Sequence, residues 1–501
     1  MAVMRLSLFL LAAVVFATPH YAGTRNPNVV FIMADDLGWN DVGYHGSEIQ
    51  TPNIDRLAAT GVRLDRYYAF PSCSPTRTAL MTGRSPLLRG TTGFGGALPS
   101  DVPILPEVLR TAGYQTFMVG KWHLGSRHVN QFPHNRGFDH FYGFLRGTVD
   151  SFSHLWIGAL DWQRNGHSVP EEGYTTDLLT DEAIRLIADR DPDRPFFLYV
   201  AFNAPHYPLV APDSLIEKYS HIPDKARRVY AAMVDSLDQA VGRIVAAIDE
   251  SGTRSNSLLV WVSDNGGATR MGGHNSPLRG GKGTSDEGGM RVPGLMNWPG
   301  KLAEGETLSQ MITVQDWLPT LISATEIDWT PSKPIDGQDM WNAITNREVV
   351  ERRDVVLGSN RRRALYRDNW KLVEGGFRRA ENPAPPTLYD IVADPSEETD
   401  LASDHPDVVA ELTAALDDIS ERFPQPSRAG RGRFRPRPGP RADGPRRAGG
   451  GPGVGEGPRA GFGPRAGGGR REGSGGRTRP DPFRRFTEET RPPVAEAAAR
   501  D

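Results

Sequence analysis

Four stretches of this chain are apolar almost without a break, and no other feature restricts the fold as much. They are Asn28–Ala34 (Asn-Val-Val-Phe-Ile-Met-Ala), 196–202 (Phe-Phe-Leu-Tyr-Val-Ala-Phe), 257–262 (Ser-Leu-Leu-Val-Trp-Val) and a shorter one at 115–119. A strand with one wet face alternates apolar and polar residues, so an unbroken run predicts a strand covered on both faces. Between the runs, apolar residues recur at helical spacing in Leu105–Thr111, 178–188 and 228–248, the last ending near Gly252 as a C-cap. Strand–helix alternation predicts an α/β fold with a large central, mostly parallel mixed sheet flanked by helices. At 501 residues the chain is long enough for a large core and more than one domain.

The texture changes after residue 330. Short strand-like pieces at Val355–Gly358, 363–366, 370–373 and 387–389 are separated by turn signals such as Arg367-Asp368-Asn369 and Glu374-Gly375-Gly376. With a helix expected over 406–423, they predict a small antiparallel sheet carrying one helix. Pro424-Gln425-Pro426 closes the folded part. Residues 427–501 hold 18 Arg, no Lys and 8 acidic residues, a net +10 that leaves −13 on the rest of a chain whose total is −3. Almost without Val, Ile or Leu, this tail cannot bury enough apolar surface to order itself. It is either a polyanion-binding arm or a solvated extension, and an arginine run of this kind selects no specific nucleic acid. At the other end, residues 5–17 read as the charged start and apolar body of a secretory signal peptide, cleaved after Ala17 or Ala22. No later segment has enough consecutive apolar residues to span a membrane. The expected division is therefore a signal peptide (1–22), an α/β domain (23–330), a small antiparallel-sheet subdomain (331–425) and a disordered basic tail (426–501). An exported protein, periplasmic or extracellular, is expected.

Ionisable residues gather where the strands end. Asp35-Asp36 directly follow Ala34, Lys121 and His123 follow the 115–119 run, His206 lies just past Phe202, and Asp264-Asn265 follow the 257–262 run. In open α/β sheets, ligands bind beyond the carboxyl ends of the strands. Taken singly, Asp35-Asp36 is a turn or cap, His206 a packed histidine and Asp264-Asn265-Gly266-Gly267 a turn. Four strand ends agreeing predict a site. Asp35, Asp36, Asp264 and Asn265 form an oxygen-only ligand set, which favours Ca²⁺ or Mg²⁺ over zinc. Arg77, Lys121 and Lys282 add positive charge. A divalent cation with three basic side chains suits a tetrahedral oxyanion such as sulfate or phosphate.

Cys73 is the only cysteine, so the chain cannot form an internal disulfide. One reading of it is a small buried hydrophobe. It sits, however, in Cys73-Ser74-Pro75-Thr76-Arg77, the C-[ST]-P-x-R pattern that marks the cysteine oxidised to formylglycine in type I sulfatases. Around it stand Ala34-Asp35-Asp36-Leu37-Gly38-Trp39, Thr51-Pro52-Asn53-Ile54-Asp55-Arg56-Leu57, Gly120-Lys121-Trp122-His123-Leu124-Gly125 and Ala204-Pro205-His206. Ser263-Asp264-Asn265-Gly266-Gly267, Leu278-Arg279-Gly280-Gly281-Lys282, Glu287-Gly288-Gly289 and Leu388-Tyr389-Asp390 follow in order. Over residues 27–423 the chain resembles a type I sulfatase of the alkaline phosphatase superfamily. It is most similar to the branch of arylsulfatase B and the N-acetylgalactosamine sulfatases.

The resemblance implies a sulfuric ester hydrolase, matured by a formylglycine-generating enzyme that converts Cys73. Asp35, Asp36, Asp264 and Asn265 would hold Ca²⁺, with an oxygen of modified Cys73 completing the metal site. One hydroxyl of the aldehyde hydrate would attack sulfur, with Asp264 as base. His206 or Lys282 would protonate the leaving alcohol. The second hydroxyl, deprotonated near His123, would expel sulfate and restore the aldehyde. Arg77 and Lys121 would orient the hydrate and sulfate, and Lys282 would clamp sulfate oxygens.

Two rivals follow from the same residues: a phosphohydrolase of the same superfamily, and a non-catalytic sulfated-glycan-binding protein in which Cys73 stays a thiol. The rim loops at 90–103, 128–162 and 268–282 are rich in aromatic, Gly and His residues. Tyr142, Phe144, Phe152, His154, Trp156 and Trp162 are there either to stack on sugar faces or as ordinary loop packing. With the resemblance, such a rim suggests sulfated carbohydrate as substrate.

Overall fold

Along the Asn28–Ala34 strand, Val29, Phe31 and Met33 belong to one hydrophobic core and Val30, Ile32 and Ala34 to a second. The same division holds elsewhere. Phe197, Tyr199 and Ala201 face the first core, and Phe196, Leu198 and Val200 the second; Leu258, Val260 and Val262 are split from Leu259 and Trp261. Successive side chains of a strand point to opposite faces. An unbroken apolar run is what a sheet with a core on each side requires.

The computed structural model describes residues 26–89, 95–359, 361–375 and 384–423. The expected signal peptide (1–22) and basic tail (426–501) lie outside them. Ten strands form the main sheet, in the order Glu306–Leu308, Val62–Leu64, Gly294–Asn297, Ser257–Ser263, Asn28–Ala34, Phe196–Ala201, Gln115–Lys121, His140–Phe144, Gln163–Arg164 and His167–Ser168. The five from Ser257–Ser263 to His140–Phe144 run parallel, and antiparallel pairs stand on either side of them. In register, Met33 is opposite Ala201 and Val262, and Ala201 opposite Gly120. The carboxyl ends of the central strands therefore come level, at one edge of the sheet.

Helices cover both faces. The longest, Lys225–Glu250, starts on Asp224, whose side chain accepts from the Arg227 N–H at 2.7 Å, and buries Tyr230, Val234, Leu237, Val241, Ile244 and Ile248 in the second core. Gly252 follows its end with a φ of +70°. A separate antiparallel sheet, Val355–Gly358, Arg362–Arg367, Trp370–Gly375 and Thr387–Asp390, carries the helix Pro406–Arg422. Its Leu365, Leu372 and Leu388 and the helix's Leu412 and Leu416 merge into the first core. No described helix is long and apolar enough to cross a membrane.

Candidate active site

Cys73 is the first residue of the helix Cys73–Thr82, every residue of which is buried. Arg77 lies one turn on and so shares its face. Arg77 reaches across the strand ends. Its Nη2 is 2.8 Å and its Nε 3.2 Å from Asp264 Oδ2, while Nη1 donates to the Lys121 carbonyl at 3.0 Å and to the Tyr199 hydroxyl at 3.3 Å. This one guanidinium ties together the segments that carry Cys73, Asp264 and Lys121.

Two further ion pairs close the site. Lys121 Nζ stands 2.5 Å from Asp35 Oδ2, both fully buried, and Lys282 Nζ stands 2.6 Å from Asp36 Oδ2. Asn265 Nδ2 donates to Asp36 Oδ1 at 2.8 Å, and the Asp36 N–H donates to Asp264 Oδ1 at 3.2 Å. An oxygen each from Asp35 and Asp264 and the Cys73 sulfur lie within 4.8 Å of one another, as do ligand atoms of Asp35, Asp36 and His206. The catalytic and metal-ligating residues singled out from the sequence thus converge, and His123, on which Lys121, Arg77, His206 and Lys282 all act, has a buried Nδ1 without a hydrogen-bond partner. Placing His206 with the aspartates brings a nitrogen into what the sequence presented as an oxygen-only set.

Backbone geometry makes the convergence possible. Gly266 follows the Asp264-Asn265 pair, and a Cβ there would lie 1.8 Å from the Gly288 carbonyl oxygen. Only glycine lets the 278–290 segment, with Lys282, close on the strand end. The Gly283 N–H donates to the Pro71 carbonyl at 2.7 Å, tying that segment to the approach to Cys73.

The electrostatics follow from burial against charge. Burial raises Asp36, but His206, Lys282 and Lys121 outweigh it and hold its carboxyl well below the ordinary value. Burial, with Asp35 beside it, pushes Asp264 up despite Arg77. Burial raises the Cys73 thiol, against Lys121, so the sulfur stays protonated. His206 falls to about 3 through burial, helped by Lys121 and Lys282 and opposed by Asp36. His206 Nδ1 is 2.6 Å from the Tyr207 carbonyl, which can only accept, so the Nδ1–H donates there and Nε2 faces Asp36 Oδ2 at 3.6 Å.

Two buried oxygens, Asp35 Oδ1 and Asn265 Oδ1, have no hydrogen-bond partner. Buried polar oxygens without partners are costly. Both belong to the acidic cluster, and a divalent cation would satisfy both, so the donor set fits one. Three carboxylates already offset three basic groups, so an added divalent cation leaves an excess of positive charge that matches an oxyanion.

Sequence reasoning missed the Tyr199 hydroxyl, because mid-strand it reads as one more residue of an apolar run. Of the rim aromatics, Tyr142, Phe144, His154 and Trp162 are buried and packed together: Trp162 stacks on His154 at 4.5 Å and on Phe144 at 6.2 Å, and Tyr142 meets it edge-on at 5.1 Å, centroid to centroid. Those four are packing, while Phe152 is exposed and Trp156 partly so.

A thiol at a helix start among strand-end carboxylates and cations, on a doubly covered parallel sheet, defines a hydrolase of oxyanion esters. Residues 27–327 match the model of the sulfatase family, and the chain belongs to that family. It is 34% identical to arylsulfatase J of Mus musculus over 80% of this chain and 77% of that one, and 34% identical to N-acetylgalactosamine-6-sulfatase of Mus musculus over 65% and 68%. It is also similar to the crystal structure of Ps i-CgsB in complex with k-i-k-neocarrahexaose, with 33% identity, a TM-score of 0.74, and coverage of 80% of this chain and 94% of that one. The protein is a sulfuric ester hydrolase, of a family that works with a formylglycine and a divalent metal.

Proposed function

We propose that this protein hydrolyses sulfate esters of carbohydrate through a formylglycine made from Cys73, with Ca²⁺, or Mg²⁺ in its place, on Asp35, Asp36, Asp264 and Asn265. The observation that carries the reading is the Cys73 thiol itself. It is buried, raised in pKa and flanked by Asp35 and Asp264, so it is a poor thiolate nucleophile. Conversion to an aldehyde hydrate replaces it with two hydroxyls at the same position. Held by Asp35, Asp36, Asp264 and Asn265, a divalent cation would add positive charge in excess of the three ion pairs and would favour the deprotonated form of a neighbouring hydroxyl.

The chain's own groups divide the rest. Asp264, raised by burial and by Asp35, takes the proton of the attacking hydroxyl. Arg77 fixes Asp264, and Lys121 fixes Asp35, so both carboxylates are held before substrate enters. Lys282 is pushed up chiefly by Asp36, against its burial, and remains a fixed positive clamp for sulfate oxygens. His206 is neutral in the free site. An entering sulfate adds negative charge beside Nε2, which raises its pKa toward the working range. Proton delivery to the departing oxygen is therefore assigned to His206. His123, with Nδ1 unpaired and its pKa lowered by burial and by Lys121, is neutral and serves as the base for the second hydroxyl.

Names among the relatives support the carbohydrate part: one is an N-acetylgalactosamine-6-sulfatase, and one structure holds k-i-k-neocarrahexaose. Export, maturation by a formylglycine-generating enzyme, polyanion contact by the 426–501 tail and the four-part division of the chain belong to the same proposal. The test is turnover of nitrophenyl sulfate against nitrophenyl phosphate, followed by sulfated saccharides. Sulfate turnover well above phosphate turnover is expected, with release of sulfate from at least one saccharide. Phosphate turnover far above sulfate would contradict the reading.

A further inference from the structure

Gly147 packs directly on the His123 ring, where a Cβ would lie 2.9 Å from Cε1 and 3.0 Å from Nε2. Beside it, Thr148 Oγ1 donates to the Tyr207 carbonyl at 2.8 Å, and the Tyr207 ring stacks on His206 with centroids 4.6 Å apart. The stretch 145–148 therefore runs between the two histidines of the site and forms part of its rim. Arg146 stands on this stretch. Its guanidinium carbon lies 4.0 Å from the centre of the Trp156 ring, on the short hairpin formed by Leu155–Trp156 and Ala159–Leu160.

Arg146 has no ion pair among the described residues, whereas Arg77, Arg136 and Arg227 each have a carboxylate. The carboxylate next to Arg146 is that of Asp161, whose two oxygens accept the main-chain N–H groups of Leu145 at 3.2 Å and Arg146 at 2.9 Å; the Arg146 charge acts on this carboxyl without forming an ion pair with it. A guanidinium is planar, and with its carbon over an indole ring its edge donors still match sulfate or carboxylate.

We propose that Arg146, held over the Trp156 ring, forms a subsite for a second anionic group on the substrate. The substrate class is then a glycan that carries, near the sulfate being cleaved, another sulfate or a carboxylate. The proposal rests on the carbohydrate reading for the identity of the substrate, but its binding test does not.

That test is competition against nitrophenyl sulfate hydrolysis by the matured full chain. Three matched disaccharides serve as competitors: one with a single sulfate, one with two sulfates, and one with a sulfate and a carboxylate. At least one of the doubly anionic sugars is expected to bind about tenfold more tightly than the monosulfated one. Arg146→Ala removes that difference and leaves nitrophenyl sulfate turnover unchanged, which also reports that the variant is folded. Arg146→Lys keeps part of the preference. Equal binding of all three by the unaltered protein, or a preference that survives Arg146→Ala, overturns the subsite. A preference that Arg146→Ala abolishes, without release of sulfate from any sugar, supports the subsite and contradicts the carbohydrate-hydrolase reading alone.

Discussion

Asp36 has a φ of +68° and His123 one of +57°, a left-handed backbone that side-chain-bearing residues seldom adopt. Strain of this kind is kept where the surrounding structure over-determines it. At Asp36 the surroundings are Lys282, His206 and the Asn265 amide, all on one carboxylate. The assignment of His206 as proton donor has a consequence at this scale. A nitrophenol leaves readily as its anion, whereas a sugar or simple alcohol needs a proton. His206→Ala is expected to slow an alkyl or saccharide sulfate by about 10²–10⁴-fold and nitrophenyl sulfate far less. Steady-state rates on the two substrates check this, and an equal loss on both would move His206 from proton delivery to binding.

At the scale of elements, the doubly covered strands were legible because each face of an unbroken apolar run has to be buried. The Leu105–Thr111 helix was legible for a related reason: one of its faces is apolar and one wet. The Cys73–Thr82 helix was not, since all its residues are buried and no apolar stripe stands out against a polar face. Short strands such as Val62–Leu64 and Gly294–Asn297 are too brief to show a period at all. How helix and strand are tied is likewise a matter of side chains. Glu182, on the helix Thr175–Asp189, meets His140 Nε2 at 2.6 Å, at the start of the His140–Phe144 strand, and meets Arg185 and Arg164 at 2.8 and 3.2 Å. Burial works against the Glu182 carboxylate, but His140, Arg185 and Arg164 hold it well below the ordinary 4.5. A depressed carboxylate contributes stability that is present above its unfolded pKa and is lost as pH falls toward the folded one. Glu182→Gln should therefore cost about 1–3 kcal/mol at neutral pH, with the deficit shrinking once the pH drops below the ordinary 4.5. Denaturant melts across pH measure this, and a deficit that does not change with pH would contradict it.

Over the whole molecule, the small C-terminal sheet is joined to the active-site edge by buried charge. Lys371, on the Trp370–Gly375 strand, has Nζ 3.0 Å from Glu287 Oε1 and 2.7 Å from Glu397 Oε1, all three side chains fully buried. Tyr68 and Tyr366 donate to Glu287 at 2.7 and 2.9 Å. Glu287 lies on the 278–290 segment that presents Lys282, so the small sheet braces the segment carrying a site residue. Lys371→Met leaves two buried carboxylates facing each other and should cost about 3–5 kcal/mol, read as a shift in denaturant midpoint. A shift under about 1 kcal/mol would show that the cluster is solvated. None of this was visible in the sequence, where Lys371 reads as an ordinary residue of a strand with one wet face. The strand-end aspartates, the histidines and Cys73 were visible, because chemistry at a sheet edge uses residue types that a core excludes. In the proposed reaction Cys73 becomes the nucleophile by losing its thiol. The most direct measurement is the mass of the peptide containing Cys73, taken from active protein purified from its own host. An aldehyde in place of the CH₂–SH group, in proportion to sulfatase activity, is expected. Full activity with an intact thiol at Cys73 would contradict it.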